Sequence, residues 1–353
     1  MFGFWTFVGA LALATPTGGA PAAGAEQSSD DCDDDRGIDR CAPDQQKRVR
    51  ELFGLEPIER HIAAGDQVRR VFYVDGYGRD VVAIVFIRPR GGDPQLRVHF
   101  PLREGEARRK PLEALVPQQV WESMIERSAL FDRNLVPLQP SGDDPMTISL
   151  HSWGYTIEAA DPDAASAGEK LRRKVGDACN DHLVQSYALD VSRAAVPLLP
   201  ACALLERRNH RNWAALLAAC SLLAGDRLAA AEVMNRAEIF RQARRREDIR
   251  LLDGIFSDEA VVDWSARRNT GRRSAAAFWL EQGAGGGSEP NLFLESVEGL
   301  GQGRTRLKGA ISRMRAGDSN GYERAEVEQI WAPGLSGEPE IEKVTVGPWR
   351  RAR

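Results

Sequence analysis

The sequence predicts an α+β fold built from two successive units, and three observations support this class. The chain has 353 residues, which exceeds the usual length of one domain. In the first half, strand-like segments precede helical ones without regular βαβ alternation. In the last third, three helical segments precede four strand-like segments separated by turn-rich stretches. We therefore expect an N-terminal α+β unit, a helical segment, and a C-terminal unit of helices packed on a sheet.

The N-terminus resembles a secretory signal peptide over residues 1–25. An apolar run over residues 2–14 is followed by Pro, Gly and Ala and by a small-residue site before Glu26. The run is shorter than the ~20 residues that span a bilayer, so no stable membrane span is expected. No Lys or Arg precedes the run, which departs from the usual signal pattern. The sequence thus predicts a periplasmic or secreted protein.

Residues 26–46 are acidic, polar and poor in apolar side chains, which predicts a flexible tail. Asp31, Asp33 and Asp35 alternate as in a calcium loop. However, Arg36 stands where such a loop needs glycine, and no closing Glu follows. Across the chain, 47 basic residues stand against 51 acidic ones without a basic patch interleaved with aromatics. Nucleic acid is therefore not an expected partner.

Five cysteines favour an oxidising compartment, but their number leaves many connectivities open. Local spacing favours Cys32 with Cys41, a pair that closes a short polar loop. It also favours Cys179 with Cys202, which joins the two ends of a helix-rich segment. Cys220 lies in the apolar run AALLAACSLLAG and is interpreted as a buried, inert thiol.

No motif predicts a metal or a cofactor. The chain has no CxxC spacing, and its five histidines show no short ligand spacing with one another. Cys179 and His182 form a CxxH, which a disulfide at Cys179 explains better. The stretch GAGGGS lacks the following Lys of a phosphate loop, and no GxSxG elbow occurs. We therefore expect neither metal nor cofactor.

Residues 47–160 predict an α+β unit of unrecognised family. A short helix is expected over residues 47–63, followed by a hairpin in VRRVFYVDGYGRDVVAIVFIRP that turns at DGYG. A third strand is expected over residues 96–100 and a helix over residues 117–131. A strand pair in TISLHSWGYTIEAADP completes the unit.

Residues 161–225 predict a linker and a helical segment. The linker is the polar stretch DPDAASAGEK. Two Ala- and Leu-rich helices follow it, interrupted by Pro197 and Pro200. Gly225 then ends one helix, and Asp226 caps the next.

Residues 226–350 carry the most distinctive order of elements. A long helix is followed by the short helix IRLLDGIF, the strand AVVDW and a third helix that opens near Gly271. Four strand-like segments follow, at residues 292–299, 304–315, 322–331 and 340–346.

The densest basic cluster of the chain falls near the end of the long helix. It comprises Arg241, Arg244, Arg245 and Arg246. Its helical spacing and the acids that follow it, Glu247 and Asp248, predict a solvated helix face.

This plan resembles the nuclear transport factor 2-like superfamily, which includes SnoaL-like and ketosteroid-isomerase-like members. The stretch IFSDEAVVDWSARRNTGRRSAAAFW is similar to the family's run in which an acidic turn precedes a short strand and a Gly opens the third helix. The resemblance covers about a third of the chain, residues 226–350. It implies a cone-shaped α+β barrel in which three helices pack on a curved antiparallel sheet around a pocket.

That superfamily contains enzymes as well as members that only bind or scaffold, so the fold alone does not choose a function. Isomerase chemistry needs a carboxylate base and buried donors to an enolate oxygen. When IFSDEAVVDW is aligned with the isomerase-like members, the position of their carboxylate base falls on Trp264, and Asp263 is one residue early. The position of their tyrosine that donates to the oxyanion falls on Phe240, which has no hydroxyl. A second acid matches Glu326, although a one-residue slip places Val327 there. The resemblance therefore disfavours isomerase chemistry.

The pocket is expected to be lined by residues from its strands and its third helix. They are Asp263, Trp264, Phe278, Arg313, Glu326 and Trp331. Asp263 is the candidate catalytic base, and its alternative is an exposed strand-end acid. Trp279 is a further candidate for the apolar wall beside Trp264, Phe278 and Trp331. These aromatic residues have core packing as their alternative, and Arg313 has a solvent-directed side chain.

We expect an exported binding or interaction protein that is not an enzyme. Its cone holds a small apolar or amphipathic ligand or a protein partner. One alternative is a lyase, isomerase or hydrolase that uses Asp263. Another is a scaffold whose filled cone serves homodimerisation through the open sheet face. The directions of Asp263, Arg313 and Glu326 separate these alternatives, because convergent polar groups in a pocket favour an enzyme.

Overall fold

A computed structural model of the chain describes residues 43–76, 78–102, 109–128, 153–177, 182–210, 212–223, 225–265, 267–283, 291–314 and 322–351. The expected signal peptide, nearly all of the expected tail, Cys32, Cys41 and Cys179 lie outside the described residues. The described part consists of two sheets with helices, which confirms the predicted α+β class. No helix in it is long and apolar enough to cross a membrane.

The first sheet has six strands in the order β4-β3-β2-β1-β5-β6, and every neighbouring pair is antiparallel. The strands are β1 Gln67–Val74, β2 Asp80–Arg88, β3 Gln95–His99, β4 Leu112–Leu115, β5 Gly154–Ala160 and β6 Leu171–Asp177. The hairpin predicted at DGYG joins β1 to β2. Within its turn the backbone N–H of Asp75 donates to the carbonyl of Arg79 at 2.9 Å.

Helices cover both faces of this sheet. They are α1 Pro43–Phe53, α2 Ile58–Ala64, α3 Gln118–Ser128, α4 Ala167–Lys170, α5 His182–Leu198 and α6 Trp213–Cys220, with 3₁₀ turns at Pro200–Leu204 and Arg207–Asn209. Val68 and Phe72 of β1 pack against α1 and α2, whereas Val71 and Tyr73 pack on the α5 side. Both faces of β1 are buried, so seven of its eight residues are buried and its sequence, QVRRVFYV, shows no alternation of apolar and polar residues.

Two consecutive arginines of β1 are buried on opposite faces of the sheet, and each is paired with an acid. Arg70 pairs with Glu158 of β5 at 3.0 Å, and Glu158 pairs with Arg173 of β6 at 3.0 Å. These three residues are in register across their strands. On the other face Arg69 donates to Asp161 at 2.8 Å. Glu158 of β5 and Asp161, which follows β5, thus tie this strand to both of its neighbours, β1 and β6, through charge-assisted hydrogen bonds.

The C-terminal part has the predicted order of three helices and a sheet. Its elements are α7 Arg227–Arg245, α8 Ile249–Asp253, β7 Phe256–Trp264, β8 Arg267–Thr270, α9 Arg272–Gly283, β9 Asn291–Gly301, β10 Arg304–Met314, β11 Tyr322–Pro333, β12 Pro339–Val346 and β13 Arg350–Arg351. The strand order is β8-β7-β12-β11-β10-β9, with β13 beside β11. We call this part, residues 226–351, the C-terminal cone.

Four strands and one strand direction differ from the prediction. β4, β6, β8 and β13 were not predicted, because each is short or rich in charged residues and lacks apolar alternation. The expected polar linker ends in α4 and leads directly into β6. β12 pairs with β7 in parallel, so the sheet of the C-terminal cone is not wholly antiparallel. The parallel pair forms where the β7-β8 hairpin meets the last strand of the β9-β12 meander.

Cys202 forms a disulfide with Cys220, so its predicted pairing with Cys179 is wrong. The interpretation of Cys220 as a free thiol is wrong for the same reason, although its apolar surroundings are buried as expected. The 3₁₀ turn after α5, which begins at Pro200, brings Cys202 back beside α6. The two Cα atoms lie 5.0 Å apart, and the bond ties this turn to the end of α6.

One cluster of buried apolar side chains runs from the first sheet through α5, α6 and α7 into the C-terminal cone. Arg109 adds a polar link between the two parts through Glu295 and a second bond to Ser221 at the end of α6. Its Nη2–H donates to the carbonyl of Glu295 on β9 at 2.8 Å, and its Nη1–H donates to Ser221 Oγ at 3.3 Å. In the described chain the two sheets therefore share one hydrophobic core.

Candidate functional site

The inner face of the cone sheet is lined by alternate residues of its strands. On β11, Val327, Gln329 and Trp331 are buried beneath the helices. Val327 lies opposite Val346 of β12, which lies opposite Trp264 of β7. Strand pairing thus places Trp264 in a row that crosses the sheet, and α9 packs over β7 at this end.

Three aromatic rings from different elements meet above this row. Trp279 of α9 lies 5.0 Å from Trp264 and 5.2 Å from Phe240 of α7, measured between ring centroids. On α7 the buried neighbours of Phe240 are mostly alanines, which let the helix approach the sheet closely. We call Phe240, Trp264 and Trp279 the aromatic cluster.

Arg244, in the last turn of α7, places a positive charge against the aromatic cluster. Its guanidinium carbon lies 4.7 Å from the Trp279 centroid and 5.9 Å from the Trp264 centroid. Arg244 is only 9% exposed, whereas Arg245 and Arg246 are exposed. The predicted solvated face is therefore wrong for Arg244. A cation over aromatic rings is bound more strongly when it is shielded from water, as here.

Two side-chain N–H groups in the same core have no hydrogen-bond partner among the described residues. They are Nε1 of Trp279 and Nε2 of Gln329. Trp331 Nε1–H donates to Gln329 Oε1 at 3.0 Å, which fixes the amide orientation and leaves Nε2 as a donor. A buried donor without an acceptor costs about 1–3 kcal/mol, so two in one core are unusual.

A more exposed group of residues borders the aromatic cluster. Arg313 donates from Nε to Glu323 at 2.9 Å, and its Nη2 lies 2.8 Å from the same carboxylate. Its guanidinium carbon also lies 4.1 Å from the ring centroid of Trp349. Trp349 in turn lies 6.5 Å from Trp264. We call Arg313, Glu323 and Trp349 the rim, because their partly exposed side chains connect the aromatic cluster to solvent.

Two of the predicted pocket residues lie on the outer face of the sheet. Asp263 is 30% exposed and pairs with Arg268 at 3.5 Å and Lys343 at 3.6 Å, on the side opposite Trp264. Glu326 is exposed, and Val327 takes the inward position. The sequence left open a shift of one residue that places Val327 inward and turns Glu326 to the other face, and the structure shows this alternative. Neither acid points into the core of the C-terminal cone.

The other four predicted residues are buried or lie at the rim. Trp264 belongs to the aromatic cluster, and Trp331 is fully buried beside Gln329. Arg313 is held at the rim by Glu323. Phe278 is buried near β8, with its ring centroid 5.3 Å from the guanidinium carbon of Arg267. Among the described residues no group of three or more His, Cys, Asp or Glu side chains is placed to hold a metal ion.

Arg244, Gln329, Glu323 and Trp349 belong to this site and were not predicted from the sequence. Arg244 follows Phe240 by four residues, and this spacing was the available signal that both share one helix face. Gln329 lies two residues from Val327 and from Trp331, so strand alternation places it inward. Trp349 lies beyond the last long strand, where no periodicity indicates its direction.

The outer face of the cone sheet carries paired charges. Arg306 of β10 pairs with Glu298 at 3.1 Å and with Glu328 at 3.6 Å. Arg304 pairs with Glu342 at 2.6 Å. A face covered by ion pairs is typical of a solvated surface and differs from the apolar face of an obligate dimer.

Comparison with known proteins finds solved structures that resemble about a third of this chain. A nuclear transport factor 2-like protein of unknown function from Shewanella oneidensis is 10% identical, covers 33% of this chain and 97% of its own length, and has a TM-score of 0.28. A ketosteroid isomerase-like protein from Erwinia carotovora atroseptica is 13% identical, with coverages of 35% and 96% and a TM-score of 0.29. No family model and no curated protein matches the chain. The match to nuclear transport factor 2-like and ketosteroid isomerase-like proteins covers about a third of this chain, and no activity follows from it.

Proposed function

We propose that this chain is an exported, non-enzymatic binding protein whose C-terminal cone holds a small amphipathic ligand between the aromatic cluster and the rim. The observation that carries the proposal is the meeting of Trp264, Trp279 and Trp349 with two guanidinium groups, those of Arg244 and Arg313. Stacked rings offer an apolar wall, and a few convergent polar groups fix orientation, as small-molecule sites require.

The directions of the acids favour binding over catalysis. Asp263 and Glu326, on which the enzymatic alternative depends, face the outer side of the sheet. The carboxylate of Glu323 at the rim is engaged by Arg313 at 2.8 Å. A general base must reach the proton that it removes, and neither outward-facing acid is placed to do so in the core.

Export is supported by the signal-like N-terminus and by the disulfide between Cys202 and Cys220. Structural disulfides are typical of oxidising compartments. The intact mass of protein recovered from the periplasm or the medium tests this part. We expect a chain that lacks about the first 25 residues. A full-length mass from the cytoplasmic fraction contradicts export.

Ligand binding is tested by titration with N-phenyl-1-naphthylamine, a neutral apolar dye whose fluorescence rises in an apolar site. We expect saturable binding that Trp349→Ala weakens, because this change removes the ring at the rim. Trp153→Ala is the matched control, since Trp153 packs in the first unit. Equal binding by both variants, or no saturable binding, contradicts the proposal. Native mass spectrometry of protein from its own host then shows whether a small molecule is retained.

A further inference from the structure

We propose that the ligand of the C-terminal cone carries an oxyanion head group of the carboxylate or sulfonate type, accepted by Trp279 Nε1–H beside the Arg244 guanidinium. This inference rests on the proposed function, because it names the chemistry of the ligand that the C-terminal cone binds. It concerns the polar end of that ligand, whereas the aromatic cluster receives the apolar body.

This core holds more hydrogen-bond donors than acceptors for them. Trp279 is fully buried and Gln329 is 1% exposed, yet each presents an N–H without an acceptor in the described chain. The one acceptor that Gln329 offers is already used by Trp331. Buried polar groups in folded proteins are nearly always satisfied. A bound group that supplies acceptor oxygens satisfies them, and a group that supplies only donors does not.

Arg244 brings a positive charge close to the Trp279 ring. Its guanidinium carbon lies 4.7 Å from the Trp279 ring centroid. An oxygen that accepts from Trp279 Nε1 lies about 2.9 Å from that nitrogen, and hence on the order of 5–7 Å from the guanidinium. At such distances a positive charge that is shielded from water favours an anion over a neutral acceptor.

The proposed head group lies at the end of the aromatic cluster that is nearest to solvent. Arg244 retains 9% exposure and is adjacent to the aromatic cluster, which the rim connects to solvent. An anion placed there lies at the end of the aromatic cluster where the Arg244 side chain reaches solvent, while the apolar body is covered by rings. Gln329 lies farther along the same inner face, two strands from β7, and supplies the same donor chemistry deeper in the core.

The test uses two probes with one skeleton. N-phenyl-1-naphthylamine is neutral, and its 8-sulfonate, 8-anilino-1-naphthalenesulfonate, adds only an oxyanion. Binding of both to the full chain is measured by fluorescence titration at fixed ionic strength. We expect the sulfonate to bind at least tenfold more tightly than the neutral dye, as a charge-assisted hydrogen bond implies. Equal affinities, or tighter binding of the neutral dye, overturn the inference.

Matched variants locate the effect. Trp279→Phe removes the N–H and keeps most of the ring, so the preference for the sulfonate should fall roughly tenfold. Trp264→Phe makes the same change at an indole that is not among the unpartnered donors, and it should weaken both probes alike. Arg244→Gln should also remove the preference, and Arg244→Lys should keep part of it. A preference that survives in both Trp279→Phe and Arg244→Gln overturns the inference.

The two proposals fail in different ways. If neither probe binds saturably, the binding function itself is contradicted. If the neutral dye binds and the sulfonate shows no advantage, binding stands and the oxyanion head group is wrong. Thermal melting of each variant verifies that it is folded. If Arg244→Gln does not fold, Arg244→Lys and Trp279→Phe still decide the outcome.

Discussion

Removal of the disulfide between Cys202 and Cys220 should cause a defined loss of stability. The bond closes a loop with a sequence separation of 18 residues. In chain-entropy terms, opening such a loop destabilises the folded state by about 3 kcal/mol. Both residues are buried in the core, so replacing both with alanine also removes packing contacts. We therefore expect a loss of about 3–5 kcal/mol and a fall of at least several degrees in Tm.

The assay compares thermal and urea unfolding of the wild type and of the Cys202→Ala, Cys220→Ala double variant, produced in an oxidising compartment. Reductant should lower the Tm of the wild type and leave that of the variant unchanged. Cys179→Ala, the control, should melt like the wild type. Peptide mapping without reductant should recover a linked pair that contains Cys202 and Cys220. A Cys179 to Cys202 link, or a double variant as stable as the wild type, refutes the reasoning.

Three further predictions concern buried groups. Glu158→Gln leaves the buried Arg70 without its counter-charge and should cost about 3–5 kcal/mol in urea unfolding. Gly309→Ala places a Cβ 2.0 Å from the carbonyl oxygen of Phe293, so β9 must shift and stability should fall by about 2 kcal/mol or more. Burial lowers the pKa of His210 from its usual 6.5, so the folded state binds fewer protons there. Its stabilising contribution is complete above pH 6.5 and is lost as pH falls through the window below that value.

The first two of these predictions have matched controls, and the third has a test variant. Glu298→Gln breaks a partly exposed ion pair and should cost less than about 1 kcal/mol. A Cβ at Gly299 meets nothing within 4 Å, so Gly299→Ala should be nearly neutral. The free energy of unfolding should fall less between pH 7.5 and pH 5.5 in His210→Gln than in the wild type. The fall that remains in the variant comes from other groups that titrate in this range. Controls as damaging as the test variants, or an unchanged pH dependence in His210→Gln, contradict the stated causes.

The order of elements in the C-terminal cone was predictable, and the direction of its strand residues was less so. Helical spacing and turn-rich stretches located the three helices and four long strands without knowledge of tertiary contacts. Asp263 and Glu326 were misplaced because a shift of one residue moves a side chain to the other face of a sheet. The family resemblance aligned these positions only to within such a shift.

The remaining errors come from long-range pairs that a local pattern does not contain. β6 reads LRRKVGD, and its partner carboxylate Glu158 lies on a strand that precedes the expected linker. A solvated position was predicted for Arg244 because it belongs to a run of arginines, and such runs usually lie in solvent. Only the assembled core shows that Trp279 and Trp264 receive this charge. Neither residue is near Arg244 in sequence.

The parallel pairing of β12 with β7 also has a consequence for the order of assembly. Lys343 pairs with Val261, so the ladder joins residues 82 positions apart (343 − 261 = 82). During synthesis the β7-β8 hairpin is complete long before β12 has been made. The edge of β7 that pairs with β12 therefore stays unpaired until nearly all of the β9-β12 meander has been synthesised. Such non-local closure is slow and leaves a strand edge open to wrong partners in the interim. A nascent chain paused before β12 should therefore be a favoured client of chaperones that bind exposed strand edges.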